Sequence, residues 1–163
     1  MFKILILFFI SFACFSQPYV SFSADANKIF NLKDNSRTVI DHKGLDFDLE
    51  VGAIDKNVSV YVFYGGFPNA NYSNYGVGVD FIIKPFKSLY LSIGNYYSKT
   101  MRHGKYHYLG GAISYFNPRG KITYFINDNI GIDLISKFQY RGDLDKRIFE
   151  GQIGITYKFN DGR

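Results

Sequence analysis

The sequence predicts an all-β fold, an antiparallel up-and-down barrel of about eight strands, and three observations favour it. Apolar and polar residues alternate along most of the chain, which is the pattern of strands with one apolar and one polar face. Helical periodicity is hard to find. Residues that favour turns, chiefly Gly, Pro, Asn and Asp, separate the alternating segments.

The chain opens with the features of a secretory signal peptide. A lysine precedes an apolar run at 4–10, and small residues follow at 13–16. The run is too short to cross a bilayer as a helix. We therefore predict that 1–16 is a signal peptide cleaved before Gln17, leaving one mature domain, 17–163. The Phe-Ser-Gln sequence at the cleavage site resembles signal ends common in Bacteroidetes.

Cys14, within the predicted signal peptide, is the only cysteine of the chain. Cleavage removes it, so the mature domain is expected to have no disulfide and no thiol nucleophile. Two alternatives use this segment differently. It could be an uncleaved buried helix, or the chain could be a lipoprotein acylated at Cys14.

The first half of the mature chain alternates between strands and connections. The first strand lies at about 19–26, and the polar, unpatterned residues 27–43 predict a long loop. The strand at 45–54 has the strongest pattern of the chain, because apolar residues alternate with three acids on the other face. A tight turn at 55–57 leads into the strand at 58–67.

The middle of the chain contains two more strands with clear alternation. They lie at 75–83 and 89–96, and the turn at 84–88 joins them. Proline at position 85 supports the turn because it cannot donate to a strand ladder. A short loop at 68–74 precedes this pair of strands, and a loop tip at 102–105 follows it.

Residues 106–126 contain two apolar sets of opposite parity. Leu109, Ile113 and Tyr115 form the first set, and Ile122, Tyr124 and Ile126 form the second. One extra residue in a β-bulge produces such a change of parity. We therefore predict one long strand interrupted by a bulge, with two separate strands as the alternative.

Two strands complete the chain. One lies at 130–141 after a tight turn at 127–129, and the connection 142–146 leads to the closing strand at 147–159. The apolar face of the closing strand has Phe149, Gly151, Ile153, Ile155, Tyr157 and Phe159, and its other face has Ile148, Glu150, Gln152, Gly154, Thr156 and Lys158. This strand therefore has one apolar and one polar face.

The connections alternate between tight turns and mostly longer loops. The turns lie at 55–57, 84–88 and 127–129, and the loops at 27–43, 68–74, 102–105 and 142–146. Short turns on one side and longer loops on the other are typical of transmembrane β-barrels. The sequence therefore predicts that the barrel spans a membrane.

The end of the chain resembles the closing strand of a bacterial outer-membrane β-barrel, which alternates apolar residues and ends in Tyr-x-Phe. The matching residues here are Tyr157, Lys158 and Phe159, although 160–163 follow where the family usually stops. With the signal peptide and the strand pattern, the chain looks like the smallest OmpA/OmpX-type barrels. The resemblance implies an outer-membrane location, contact with outer-membrane lipids and lipopolysaccharide, and insertion by the barrel assembly machinery.

Nine charged residues of the strands fall on the polar face, which predicts a polar lumen. They are Asp46, Asp48, Glu50, Asp80, Asp133, Lys137, Arg141, Glu150 and Lys158. Eight strands leave a lumen that side chains alone can fill, so these charges must pair. We expect the acids of 45–54 to meet Lys137, Arg141 or Lys158 across the barrel, as a plug and not an open pore.

The abundance of aromatic residues favours an outward apolar face. They make up 19% of the chain, with 17 Phe and 14 Tyr, and Tyr suits the interfacial girdles of membrane barrels. The alternative is a soluble, secreted, lipocalin-like binding barrel with its apolar face inside. So many rings would overfill a narrow interior.

Composition and motifs exclude several functions. The net charge is +5, but the basic residues do not cluster, so we predict an anionic membrane surface as partner and no nucleic acid. No phosphate-binding loop, nucleophile motif or metal-ligand cluster is present, and His103 and His107 are read as exposed loop histidines. We predict no cofactor, no metal and no catalytic residues.

The expected function is a non-enzymatic surface role that is structural, adhesive or receptor-like. An unknown ligand would bind the loops at 27–43 and 102–105. The enzymatic alternative is an outer-leaflet lipid-modifying enzyme that combines Ser98 with His42, His103 or His107. The chain lacks the His-x-Ser motif of the deacylase-type barrels it would resemble. A narrow channel is a further alternative.

Overall fold

The computed structural model describes residues 17–26, 46–67, 72–103, 108–141 and 146–159, without the side chains of 67, 72, 102–112 and 141–146. These residues form a closed barrel in which each strand pairs with its neighbours in sequence. The strands are β1 (Gln17–Asp25), β2 (Phe47–Asp55), β3 (Val58–Phe67), β4 (Tyr72–Phe86), β5 (Leu89–His103), β6 (Tyr108–Phe125), β7 (Ile130–Arg141) and β8 (Lys146–Lys158). The predicted all-β, eight-stranded, antiparallel barrel is confirmed.

Within those ranges, no helix has the length and apolar character needed to cross a membrane. The predicted signal peptide and the predicted loop at 27–43 lie outside the described residues, so both stay predictions. The same holds for most of the loop predicted at 142–146.

Three short connections lie at one end of the barrel, which we call the turn end, and β1 begins and β8 ends there as well. The connections follow Asp55, Phe86 and Phe125. Lys56 in the first of them has a φ of 47°, in the left-handed region. The opposite end is the loop end. The predicted grouping of the three tight turns at one end of the barrel is therefore confirmed, and the lengths of the predicted loops stay predictions.

Some predicted boundaries were wrong. β4 runs through Pro85 to Phe86, where a turn had been predicted, and the pairing with β5 changes register between Ile83 and Phe86. Proline is tolerated at such an irregularity because the ladder is already interrupted there. β5 also continues to His103 and β6 begins at Tyr108, so the connection predicted at 102–105 begins two residues later than predicted.

β6 is one strand with a bulge, as predicted. Tyr96 of β5 pairs with Asn117 and Ser98 pairs with Ser114, so one residue of β5 faces two residues of β6. The two residues of the bulge, Tyr115 and Phe116, are both exposed on the outside, at 74% and 60%. The bulge shifts the parity of β6 by one residue, so Ser114 and Asn117 both point inward although they are three residues apart.

The outer face of the barrel is apolar and its inner face is largely polar. Ile93, Ile155 and Phe81 are 68%, 60% and 51% exposed on the outside, whereas Asp133, Gln139 and Gln152 are buried inside. A soluble barrel has the opposite arrangement, and so large an apolar surface needs lipid around it. The lipocalin-like alternative is therefore wrong.

Candidate functional site

The centre of the lumen is organised around Arg119 of β6, which is buried. Its Nη2 lies 2.7 Å from Glu50 Oε2, and its Nη1 lies 3.8 Å from Asp80 Oδ2. The guanidinium carbon lies 4.6 Å from the centroid of the Tyr61 ring. One cation thus connects acids from β2 and β4, and charge-assisted contacts of this kind are strong where water is excluded.

Lys121, two residues along the same face of β6, extends the network. Its Nζ lies 3.1 Å from Asp133 Oδ2 and 3.8 Å from Glu50 Oε1. Asp133 also accepts hydrogen bonds from the hydroxyls of Ser21 (2.8 Å), Thr123 (2.7 Å) and Thr156 (2.6 Å). Three hydroxyls and one ammonium satisfy this buried carboxylate, as a low-dielectric site requires.

A second polar cluster lies nearer the loop end. Lys137 of β7 forms an ion pair with Asp48. Gln152 Nε2 donates to Asp48 Oδ2 at 3.0 Å, and the hydroxyl of Ser23 donates to Gln152 Oε1 at 2.8 Å. Contacts therefore run from β1 through β8 to β2 and across to β7, which ties four strands together inside the barrel.

Aromatic rings fill the remaining space of the lumen. Tyr19, Tyr61, Phe63 and Tyr96 form a buried cluster. The Tyr19 hydroxyl donates to Glu50 Oε1 at 2.6 Å, and the Tyr61 hydroxyl donates to Asp80 Oδ1 at 3.2 Å. Gly78 makes room for Tyr61, because a side chain at that position would collide with the ring. The lumen is thus filled by rings as well as charges, and it contains more aromatic surface than a purely polar plug.

At the turn end, Lys158 closes the lumen by cation–π contacts. Its Nζ lies 3.8 Å from the Phe125 ring centroid and donates to the Tyr90 hydroxyl at 3.4 Å. Nearby, a cavity of about 20 Å³ is lined by residues that include Tyr19 and Lys121. This volume holds about one water molecule.

The structure places most of the predicted lumen residues inside the barrel. Asp48, Glu50, Asp80, Asp133, Lys137 and Lys158 are buried, and Asp46 and Glu150 are half-buried. The charges of Asp46 and Glu150 act on Lys137. The side chain of Arg141 lies outside the described residues.

The predicted pairing across the barrel was only partly right. Asp48 does meet Lys137, but Glu50 pairs with Arg119 and Lys121, and Lys158 contacts rings in place of an acid of β2. Arg119 and Lys121 were not predicted as lumen residues because the Asn-Pro-Arg-Gly sequence at 117–120 resembles a turn. The sequence did contain evidence for their position. Lys121 and Arg119 lie two and four residues before Thr123, so the alternation of a strand places all three side chains on the same, inner face.

The closing strand presents its apolar residues to the outside. Ile155, Tyr157 and Phe159 are exposed, and Ile153 is half-buried. The rings of Tyr157 and Phe159 pack edge to face at 5.0 Å, at the turn end of the wall. Aromatic pairs in this position suit the boundary between lipid and water.

The described residues contain no assembled catalytic or metal centre. Ser98 is fully buried in the lumen, and Asn117 Nδ2 donates to its hydroxyl at 3.3 Å. The side chains of His42, His103 and His107 lie outside the description. No group of three potential metal ligands occurs in the part of the chain that the structure describes.

No protein-family model and no curated protein matches the sequence. Solved structures match the fold. The N-terminal β-barrel domain of Pseudomonas aeruginosa OprF is 13% identical with a TM-score of 0.60, and the match covers 88% of this chain and 98% of that one. The Yersinia pestis outer membrane protein Ail is 12% identical with a TM-score of 0.55, covering 88% and 99%.

A de novo designed transmembrane β-barrel is also similar, at 12% identity and a TM-score of 0.56, with 88% of this chain and 96% of that chain covered. At these identities the likeness concerns the fold. The likeness in fold agrees with the closed eight-stranded wall, its apolar outer face and its filled lumen. The chain therefore has the fold of the OmpA-type eight-stranded outer-membrane β-barrels.

Proposed function

We propose that the protein is a non-enzymatic barrel of the bacterial outer membrane with a structural, adhesive or receptor-like role at the cell surface. The filled lumen is the observation that supports this proposal most directly. Three carboxylates hold Arg119 and Lys121 at mid-barrel, and the aromatic cluster occupies the space beside them. Because the protein's own side chains occupy the lumen, contacts with other molecules fall to the loop end.

The apolar wall requires a bilayer, and the predicted signal peptide provides the route to it. We propose that residues 1–16 direct export, that the barrel assembly machinery inserts the mature chain, and that outer-membrane lipids and lipopolysaccharide surround it. In this orientation the turn end faces the periplasm. The loops at 27–43 and 102–105 then face the outside and provide the surface for a ligand.

Of the three proposed roles, the similarity to Ail favours the adhesive one. Ail is the attachment invasion locus protein of Yersinia pestis, and a structure of Ail in complex with the heparin analogue sucrose octasulfate also matches this chain, with a TM-score of 0.51. The present chain has a net charge of +5, which would favour an anionic surface ligand.

Membrane location is tested by expressing the full chain in a Gram-negative host. We expect it in the outer-membrane fraction, with a gel mobility that changes on boiling, because folded membrane barrels resist detergent. Removal of residues 1–16 should leave aggregated protein in the cytoplasm. A soluble, monomeric product of this deletion would contradict the proposal.

The surface role is tested on the purified protein. We expect no steady conductance in planar bilayers and no change in the mass of added lipopolysaccharide. Replacement of residues 28–42 by a short Gly-Ser linker should reduce adhesion to host cells and leave heat-modifiable mobility unchanged. Release of an acyl chain from the lipopolysaccharide would instead establish the enzymatic alternative.

A further inference from the structure

The wall of the barrel has a seam between β6 and β7 at the loop end. These strands pair from Phe125 and Gly131 up to Arg119 and Lys137, and no further within the described residues. Both strands continue beyond this point. β6 pairs with β5 as far as Tyr108, and β7 pairs with β8 as far as Arg141. Near the loop end, β6 and β7 therefore form no ladder with each other in the described residues.

Pro118 gives a chemical reason for the seam. The backbone nitrogens of Phe125 and Asn117 both donate towards β5, to the Ser88 carbonyl at 2.7 Å and to Asn95 Oδ1 at 2.7 Å. Donors alternate sides along a strand, so the nitrogen of Pro118 points to β7. Proline has no hydrogen there, and the ladder stops. The bulge at Tyr115 and Phe116 follows directly.

Asn117 closes the seam from the inside. Its Oδ1 accepts from the backbone nitrogen of Tyr140 at 3.0 Å and from the Ser114 hydroxyl at 2.7 Å. Its Nδ2 donates to the Tyr96 carbonyl at 2.9 Å, and the residue is fully buried. A side chain thus replaces the missing ladder bond. The seam is therefore closed towards the lumen, and we call its outer side, bordered by Phe116 and Phe138, the groove.

A cation lies across the outside of this groove. Arg147 of β8 is exposed, and its guanidinium carbon lies 5.8 Å from the Phe116 ring centroid and 5.7 Å from that of Phe138. Its Nη1 donates to the Phe116 carbonyl at 3.5 Å. In the described part of the chain Arg147 has no ion pair. It is the second residue of β8 at the loop end, the level at which a lipid-facing wall meets headgroups.

We propose that this groove binds an anionic, phosphate-bearing lipid of the outer leaflet, an inference that rests on the proposed outer-membrane location. A guanidinium is the group best suited to bind a phosphate through two parallel hydrogen bonds. The rings of Phe116 and Phe138 are 60% and 40% exposed and form an apolar floor for an acyl chain. The headgroup phosphate lies on Arg147, and the chain lies along the seam.

The absence of tryptophan from the chain allows a direct test. Tyr115→Trp places a reporter beside the groove, and Ile93→Trp, also outward but on β5, serves as a distant reporter. Each full-length protein is placed in neutral phosphatidylcholine nanodiscs with a small fraction of brominated phosphatidic acid or brominated phosphatidylcholine, and fluorescence quenching is compared. At position 115 only, we expect brominated phosphatidic acid to quench as if it were enriched about two- to fivefold over brominated phosphatidylcholine. This is the range that the free energy of one exposed ion pair allows.

Arg147→Gln should remove this preference, and Lys99→Gln, which removes another cation from the wall, should retain it. Equal quenching by the two lipids at position 115, or an unchanged preference in Arg147→Gln, would overturn the site. Loss of the preference on adding millimolar inorganic phosphate would show that soluble phosphate is the ligand and would overturn the lipid as occupant. No quenching at either reporter would mean that the chain is not in the bilayer, and would refute the proposed location itself.

Discussion

At the scale of single residues, buried cations that contact several groups organise the lumen. Lys121 links Glu50 to Asp133, and Arg119 links Glu50 to Asp80. Among the side chains that the structure describes, four buried acids balance four buried cations: Asp48, Glu50, Asp80 and Asp133, with Arg119, Lys121, Lys137 and Lys158. Charges at low dielectric are costly without partners, so the loss of one member leaves the others unmatched.

We predict that Arg119→Met lowers the free energy of unfolding by about 3–5 kcal/mol, because Asp80 loses the Arg119 cation and Glu50 keeps only the Lys121 cation at 3.8 Å. Urea unfolding in lipid vesicles, followed by gel mobility, measures this cost. Glu50→Gln in the Arg119→Met background should restore part of the loss, since it removes one unmatched charge. Strictly additive costs of the two single changes would show that Arg119 and Glu50 are not coupled.

A second prediction at this scale concerns Lys56. Its φ of 47° lies where a side chain is strained and glycine is not. We predict that Lys56→Gly raises the free energy of unfolding by about 1 kcal/mol, the cost of that conformation for a residue with a Cβ. The neighbouring Asn57→Gly is the control and should not stabilise, because the φ of Asn57 is not positive. An equal gain from both changes would point to the loss of side chains and not to relief of strain.

At the scale of elements, β6 differs from the other strands because its bulge shifts the inward set by one residue. Asn117, Arg119, Lys121 and Thr123 point inward on the turn side of the bulge, and Ser114 points inward on the loop side. Without the bulge, either the charged residues or the apolar ones would meet the wrong environment.

We predict that deletion of Phe116 leaves a folded barrel, because the deletion removes the extra residue and restores simple alternation. Deletion of Gly120 should abolish folding, since it turns Arg119 and its neighbours towards the lipid. Heat-modifiable mobility of the two deletion variants compares them directly. Folding of both would mean that the wall tolerates a change of parity and that the bulge has no role in orienting β6.

The strands could be predicted from the sequence because alternation is a local property that each segment shows by itself. The closing strand and the acidic face of β2 are examples, since Ile155 and Asp48 lie on the faces that parity assigned. The ion pairs could not be predicted in full. Glu50 and Arg119 are far apart in sequence, and their meeting depends on the stagger of all the strands between them. Pro118 also made the segment before Lys121 resemble a turn.

At the scale of the whole molecule, the barrel reverses the usual arrangement of apolar and charged side chains in a soluble protein. Large apolar side chains such as Phe81 and Ile83 are exposed on its wall, and eight charged side chains of the described residues are buried in its lumen. The inner network replaces the apolar core, and the hydrophobic effect acts on the outer wall through the surrounding lipid.

We predict that Ile155→Arg destabilises the protein by up to about 2–4 kcal/mol in a bilayer, since it exposes a charge to the hydrocarbon around the wall. Ile126→Arg, at the turn end, is the matched control, and it should cost only about 0–1 kcal/mol there. Both residues are exposed, at 60% and 63%, so they differ in depth and not in burial. Equal costs at both positions would mean that the wall does not span a bilayer.

The pairing of β1 with β8 has a consequence for how the chain reaches its final state. Tyr19 pairs with Lys158, and the Phe159 nitrogen donates to the Pro18 carbonyl at 3.0 Å. The ribosome makes β1 before the other strands and β8 after them, so β1 keeps one open edge until translation has passed residue 158. An open, apolar strand edge invites pairing with other chains. The wall therefore cannot close until the last strand is available, and the unfinished sheet must stay apart from other chains until its two ends meet.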